Sequence, residues 1–116
     1  MTAPSPVTPL DAFQIVDMRV GTILRAEAFP EARKPSIRLE IDFGPELGTR
    51  RSSAQLTRRY TPGSLVGRRV VAAVNLGTRR IAGFTSEVLV LGAVPEEGDV
   101  VLLAPDADVP DGARIA

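Results

Sequence analysis

The amino-acid sequence predicts an all-β fold of five or six short strands with one short helix. Two observations support this prediction: apolar and polar residues alternate over residues 16–28 and 36–43, and glycine, proline or aspartate bounds the short apolar runs that follow. The chain has 116 residues, of which 44% are hydrophobic and 24% are charged, as expected of one folded domain. We therefore expect a small β structure built around one core.

The first half of the chain supplies the longest predicted strands. Residues 11–16 predict one helical turn, and residues 16–28 then place apolar side chains in one phase of the alternation. Gly21 lies within that strand and predicts the bulge or tight bend that curls a sheet toward a barrel. Residues 36–43 alternate cleanly, with the even-numbered charged side chains directed outward.

A third strand and a short helix are expected next. Glycines mark the turn into a strand over residues 49–54. Leu56 and Tyr60 then stand four residues apart, which is helical spacing, with Ser53 placed to cap the helix and Pro62 to end it.

The remaining strands are predicted over residues 70–74, 87–91 and 100–103. Short strands with one helix between the third and the fourth are typical of a five-stranded Greek-key barrel of the OB type. A small β-sandwich fits the same periodicity and remains the alternative. We expect residues 1–10 to form a flexible Pro-rich leader and residues 11–116 to form the domain.

Composition excludes several classes of function. The chain has no histidine and no cysteine, so Ser–His and Cys–His nucleophile pairs, His-ligated metals and disulfides cannot form within it. We therefore expect a protein that is not an enzyme and that has no cofactor or metal. No apolar run is long enough to cross a bilayer, and the N-terminus lacks the regions of a secretory signal. These observations predict a cytoplasmic protein without a membrane partner.

Charge is distributed unevenly along a chain whose net charge is zero. No Asp or Glu occurs from Leu47 to Ser86, which we call the acid-free span. Its eight arginines are Arg50, Arg51, Arg58, Arg59, Arg68, Arg69, Arg79 and Arg80. Such a span predicts a surface for an anionic ligand. The alternative is that these arginines pair with acids of the flanking segments in the folded state.

Several blocks of the sequence resemble the CsaA family, which belongs to the tRNA-binding OB-fold domains found alone or appended to aminoacyl-tRNA synthetases. The resemblance covers residues 13–115. The blocks, in order, are FPEARKPSIRLEIDFG (29–44), RRSSAQLTRRY (50–60), VVAAVNL (70–76), RRIAGFTSEVLVLG (79–92) and GDVVLLAPD (98–106). The resemblance implies an OB barrel, terminal extensions that form a homodimer, tRNA binding, and an export-related, chaperone-like activity on unfolded polypeptides.

The same resemblance implies which residues bind RNA. By position, the basic loop of the tRNA-binding group and its following serine correspond to Asn75, Arg79, Arg80 and Ser86. The candidates on the adjoining strand–helix segment are Arg50, Ser52, Ser53, Arg58 and Arg59. Relatives place prolines just before the arginine pair, whereas this chain has Leu76-Gly77-Thr78 there. Phe84 is the stacking candidate, because most of the few other aromatic residues are expected in the core.

These observations predict a non-catalytic protein that binds tRNA. Arginine guanidinium groups match phosphate oxygens, and the scarcity of aromatic residues indicates recognition of backbone and shape rather than base sequence. We expect Arg79 and Arg80 to face phosphate from a loop at the mouth of the barrel. The alternative is an export-related chaperone that holds unfolded polypeptides or preproteins in a dimer groove. The acid-free span favours tRNA, since an unfolded polypeptide has no general need for concentrated positive charge.

Overall fold

The computed structural model of the chain describes residues 7–116. Residues 1–6 of the predicted leader therefore lie outside the described residues. The elements are α1 (Pro9–Ile15), β1 (Met18–Phe29), β2 (Ser36–Asp42), α2 (Gly44–Leu47), β3 (Thr49–Ala54), α3 (Pro62–Leu65), β4 (Arg69–Ala73), β5 (Arg79–Ile81), β6 (Phe84–Ser86), β7 (Leu89–Val90), β8 (Gly92–Glu96) and β9 (Asp99–Leu102).

A single curled antiparallel sheet, in the order β3-β2-β1-β4-β7, forms a half-barrel of the predicted OB type. The fourth strand lies beside the first after a three-strand meander, which is the Greek-key order. Two further ribbons, β5–β6 and β8–β9, complete the strands among the described residues. The β-sandwich alternative is therefore not the architecture of this chain.

β1 is the strand around which the sheet curls. It pairs with β4 over Met18–Thr22 and with β2 over Thr22–Phe29, and a bulge at Leu24 interrupts the pairing with β2. At Gly21 an added Cβ would lie 2.6 Å from Cγ2 of Ile41 and 2.8 Å from the ring of Phe43. The bulge therefore lies three residues after Gly21, where it was predicted, and Gly21 is required instead by a close approach of core side chains.

The core lies on the concave side of the sheet. Ile37, Leu39 and Ile41 alternate inward along β2, and Phe43 continues the same phase at the end of the strand. Leu56 and Leu65 close the core from the connection between β3 and β4.

The position of the short helix differs from the prediction. Leu56–Tyr60 forms a single turn closed by one hydrogen bond, in which the Tyr60 amide donates to the Leu56 carbonyl over 3.0 Å. The helix α3 begins at Pro62 instead, because Thr61 and Ser64 satisfy its first amides in a reciprocal capping box. Ser53, predicted as a cap, lies in β3.

The segment around the arginine pair also differs from the predicted loop. It forms the β5–β6 hairpin, in which Arg79 pairs with Ser86 and Ile81 pairs with Phe84. Its two-residue turn has positive φ at both positions, 46° at Ala82 and 82° at Gly83, as a type I′ turn requires.

The other predicted strands are confirmed, with ends that shift by at most two residues, except that the strand over 87–91 shortens to β7. β8 was not predicted. The predicted helical turn is α1, which begins at Pro9 because Thr8 caps it, accepting a hydrogen bond from the Asp11 amide over 3.1 Å. Among the described residues no helix has the length and apolarity needed to span a membrane.

An ion pair ties the β8–β9 ribbon to the turn after β3. Arg59 donates two hydrogen bonds to the carboxylate of Asp99, at 2.5 and 2.8 Å, and the Asp99 side chain is only 9% exposed. The hydrogen bonds from Arg59 lower the pKa of Asp99, and the carboxylate in turn raises the pKa of Arg59. The neighbouring Arg58 pairs with Glu96 of the same ribbon at 2.7 Å.

The Gly21→Ala substitution should destabilise the fold. A Cβ at this position overlaps two core side chains on a neighbouring strand, and overpacking of a core typically costs about 1–3 kcal/mol. We expect a thermal melt to show a melting temperature lower by at least about 4 °C. Gly63→Ala is the matched control, because its Cβ meets no atom within 4 Å. Equal melting temperatures for the two variants would contradict the close approach at Gly21.

The Asp99→Asn substitution should lower stability in a pH-dependent way. Because the folded-state pKa of Asp99 is depressed, its contribution is present above the unfolded pKa of about 3.9 and disappears as pH falls through the folded value. The variant should melt below the wild type at pH 7, and the two curves should converge as pH falls well below 3.9. Melts from pH 7 to pH 2 test this, with the exposed Asp106→Asn as the control. A difference that is constant with pH would mean that the ionised carboxylate is not the stabilising form.

Candidate nucleic-acid interface

The arginine pair lies on a strand with its two side chains on opposite faces. Arg79 and Arg80 are consecutive residues of β5 and both are exposed. Side chains alternate along a strand, so Arg79 shares a face of the hairpin with Phe84 and Ser86, whereas Arg80 lies on the other face with Thr85. Arg80 donates a hydrogen bond of 3.0 Å to the Thr85 hydroxyl. The expectation of a basic loop is corrected to a basic two-stranded ribbon.

Half of the arginines in the acid-free span are neutralised by acids that follow it in sequence. These ion pairs are Arg51–Glu87, Arg58–Glu96, Arg59–Asp99, and Arg69 with both Asp108 and Asp111. Within residues 7–116 no carboxylate oxygen lies within 4 Å of Arg50, Arg68, Arg79 or Arg80. The unpaired positive charge of the span is therefore densest at the hairpin, where two of these four residues are adjacent.

Arg50 and Arg68 satisfy carbonyl oxygens close to them in sequence. The Nε of Arg50 donates to the Leu47 carbonyl over 3.1 Å, and the Nε of Arg68 donates to Ser64 over the same distance. The guanidinium of Arg68 also lies 5.0 Å from the centre of the Tyr60 ring. Both side chains therefore stabilise the local structure, and their charges remain without an acidic partner among the described residues.

The serines of the predicted site take different positions. Ser52 is 1% exposed, and its hydroxyl donates to the Val88 carbonyl over 2.8 Å. Ser86 is also buried and directs its hydroxyl to the same oxygen at 3.5 Å. Ser53 lies on the outward side of β3, opposite Arg38 of β2. Of the three, Ser53 alone lies on the outer face of the sheet.

Asn75 joins two elements through its side-chain amide. Its oxygen accepts from the Asp17 amide and its nitrogen donates to the Ile15 carbonyl, both over 2.8 Å. These bonds connect the end of β4 to the linker between α1 and β1. Asn75 therefore fixes the strand end from which the chain continues toward the hairpin.

Phe84 forms the centre of an aromatic and cationic cluster. Its ring meets Phe29 edge to face, with centroids 5.5 Å apart. The guanidinium groups of Arg51 and Arg38 lie 5.0 and 5.8 Å from the centre of the same ring. Such cation–π contacts hold the planar guanidinium groups in place, and guanidinium planes can themselves stack on bases.

Sequence reasoning missed the outward face of β1 and β2 as part of the site. Arg25, Glu27, Arg38 and Glu40 lie on this face and, together with Arg51 and Phe84, line a surface cleft of about 210 Å³. The clean alternation of residues 36–42 indicated that Arg38 and Glu40 point outward. The strand register that brings them beside Arg25 and Arg51 could not be inferred from the sequence pattern.

Apart from Arg50 and Ser53, the predicted RNA-binding residues fall into two groups. The hairpin, with Arg79, Arg80 and Phe84, stands beside the outward face of the sheet through the contact of Arg51 with Phe84. Ser52, Asn75, Arg58, Arg59 and Ser86 form bonds that hold the fold together. Among residues 7–116 no group of three Asp or Glu side chains is placed to hold a metal ion.

Comparison with known proteins gives the family. Residues 18–114 match the family model described as "Putative tRNA binding domain". Among solved structures, the chaperone CsaA from Bacillus anthracis is 55% identical and superposes with a TM-score of 0.89, covering 96% of this chain and all of that one. The CsaA chaperone protein from Picrophilus torridus is 41% identical with a TM-score of 0.85, covering 94% of this chain and 99% of that one.

Curated relatives are far longer than this chain. A methionine–tRNA ligase from Methanothrix thermoacetophila is 42% identical over 110 residues, which are 95% of this chain but only 16% of that protein. The chain thus corresponds to one domain of such ligases. From the family match and from the CsaA structures that it covers nearly completely, the chain belongs to the CsaA family of tRNA-binding OB-fold domains.

Proposed function

We propose that this protein is a non-catalytic, cytoplasmic tRNA-binding protein that contacts the backbone and shape of tRNA through its β5–β6 hairpin and the adjoining outward face of the sheet. One observation carries the proposal: Arg79 and Arg80 are exposed and adjacent, and no acid among the described residues neutralises them. The family match supports tRNA as the polyanion.

The arrangement of the two arginines suits phosphate rather than base recognition. Guanidinium groups bind phosphate oxygens through paired hydrogen bonds, and such contacts position a protein without reading sequence. Because Arg79 and Arg80 lie on opposite faces of a two-stranded ribbon, they reach phosphates on both sides of the hairpin. A folded RNA offers such pairs of backbones wherever two strands approach each other.

Replacing both Arg79 and Arg80 by Ala should weaken tRNA binding and leave the fold intact. If each arginine neutralises one phosphate, the slope of log K against log salt concentration should fall by roughly 1–2. Affinity should fall similarly for different tRNA sequences, because phosphate contacts carry no sequence information. Titrations with tRNA at several salt concentrations, combined with a thermal melt, measure both effects.

The double variant Arg58→Ala, Arg59→Ala is the matched control, since it also removes two adjacent arginines. Both of these are ion-paired, so we expect a lowered melting temperature with a smaller change of slope. The proposal fails if the control reduces the salt slope as much as the hairpin variant does. It also fails if the hairpin variant melts early and keeps the wild-type slope.

A second candidate function, the holding of unfolded or preprotein polypeptides in a dimer groove, is favoured by α1. None of the residues of this helix is buried, and Leu10, Phe13 and Ile15 are 64%, 45% and 63% exposed. The radius of gyration is 15.3 Å, against about 13 Å for a compact domain of 100 residues. An extended chain with an uncovered apolar helix is suited to a homodimer, and the two CsaA neighbours are named chaperones.

Sedimentation at micromolar concentration should give about twice the chain mass. Phe13→Asp places a charge on the exposed apolar side of α1 and should yield the monomer, whereas Leu24→Asp at the sheet bulge should not. A wild-type monomer would contradict the dimer. Binding of an unfolded polypeptide by the dimer, and its loss in Phe13→Asp, would support the second function over a purely RNA-binding one.

A further inference from the structure

The outward face of the sheet contains a row of three charged residues at one level. In the strand register, Arg25 of β1 stands opposite Glu40 of β2, and Glu40 stands opposite Arg51 of β3. Adjacent strands lie about 4.8 Å apart, so the two arginines flank Glu40 with roughly 10 Å between their backbones. All three residues line the same surface cleft, which we call the Glu40 slot; the arginines on the outer two strands are its walls, and Glu40 on the middle strand is its floor.

The walls of the slot differ in how firmly they are held. Arg51 is held mainly by the Phe84 ring, whose centre lies 5.0 Å from its guanidinium, while the Glu87 carboxylate is 3.8 Å away. Arg25 is 70% exposed, against 50% for Arg51, and its guanidinium lies 3.6 Å from Glu27 without an aromatic ring of the described residues against it. One wall is therefore preformed and the other is free to close over a ligand.

Glu40 itself has no partner within residues 7–116. The neighbouring acids of this face, Glu27 and Glu87, are both paired with arginines, whereas no ion pair reaches Glu40. Its side chain is half-buried between two arginines, and an ionised carboxylate only accepts hydrogen bonds. The floor of the slot is thus an unused acceptor with two oxygen atoms.

We infer that the Glu40 slot binds one unpaired guanine base of RNA. A base standing on its edge between the walls stacks on the guanidinium planes of Arg51 and Arg25, as unpaired bases do in RNA complexes. Guanine carries two adjacent N–H donors on its Watson–Crick edge, matching both oxygens of Glu40, and adenine, cytosine and uracil do not. The cleft of about 210 Å³ is smaller than the 300 Å³ or more of typical ligand pockets, which fits a single base.

This inference rests on the proposed RNA binding and deepens it by naming the base that is read. It differs from the hairpin contacts, which neutralise phosphate without distinguishing bases. The carboxylate also has a cost, since it repels the backbone of every RNA. A base that donates hydrogen bonds to both oxygens offsets this cost.

Binding of the labelled pentanucleotides UUGUU, UUIUU, UUAUU and UUUUU at low salt, by fluorescence anisotropy, tests the inference. Inosine is the key probe, because its base, hypoxanthine, differs from guanine only in lacking the 2-amino group. The wild type should prefer UUGUU over UUIUU by about fivefold or more, the lower end of what one bidentate pair contributes to base discrimination. Free GMP should compete only weakly, since it lacks the flanking phosphates.

Glu40→Met removes both acceptor oxygens and one negative charge. The affinity for UUIUU and UUUUU should rise, because a negative charge is removed. The preference for UUGUU should disappear, because the acceptor oxygens are removed. Glu31→Met, in the exposed turn after β1, makes the same charge change and should keep the preference. Glu40→Gln retains one acceptor oxygen and should give an intermediate ratio, and thermal melts establish that all variants are folded.

The outcomes separate this inference from the proposed function. Binding of tRNA without any preference for UUGUU would overturn the slot and leave the hairpin proposal standing. A preference that survives Glu40→Met would also overturn it. Competition by GMP as strong as that by UUGUU would assign the slot to a free nucleotide instead of RNA. Binding of neither tRNA nor pentanucleotide would overturn both proposals.

Discussion

The position of the hairpin beside the sheet depends on the contact that closes the open side of the half-barrel. The edge strand β3 meets the segment after the hairpin through the buried hydroxyl of Ser52, which donates to the Val88 carbonyl, and through the Glu87 amide, which donates to the Arg51 carbonyl. A buried polar group left without a partner costs about 1–3 kcal/mol, so these bonds hold the two segments in register. This register places Phe84 against Arg51 and thereby sets the hairpin beside the sheet.

The strands were predictable from the sequence because they depend on local alternation. Ile37, Leu39 and Ile41 alternate with charged residues, and this pattern alone defines β2 and its inward face. The predicted position of the short helix is wrong because the apolar spacing of Leu56 and Tyr60 corresponds to a single turn, whereas the capping box of Thr61 and Ser64 begins the helix at Pro62. The site was only partly predictable, since it depends on which distant residues the sheet brings together. Nothing near Arg59 in sequence shows that Asp99 lies against it.

The ion-pairing explanation of the acid-free span holds for half of its arginines. Acids that come later in the chain neutralise Arg51, Arg58, Arg59 and Arg69, and the last three of these arginines attach the β8–β9 ribbon and the segment after it to the barrel. Among residues 7–116 the hairpin arginines have no acidic partner. Only the folded structure separates these two arginines from the ion-paired ones, because the partner acids lie far away in sequence.

The turn of the hairpin has a consequence for dynamics. Alanine at a φ of 46° adopts a left-handed conformation that costs an L-residue roughly 1–2 kcal/mol, and only three residue pairs hold β5 to β6. A short two-stranded ribbon is marginally stable by itself, so we expect this hairpin to open more readily than the five-stranded sheet. Its amide protons should then exchange with solvent sooner than those of the sheet. A polyanion that ordered the ribbon would slow this exchange and would use part of its binding free energy in that ordering.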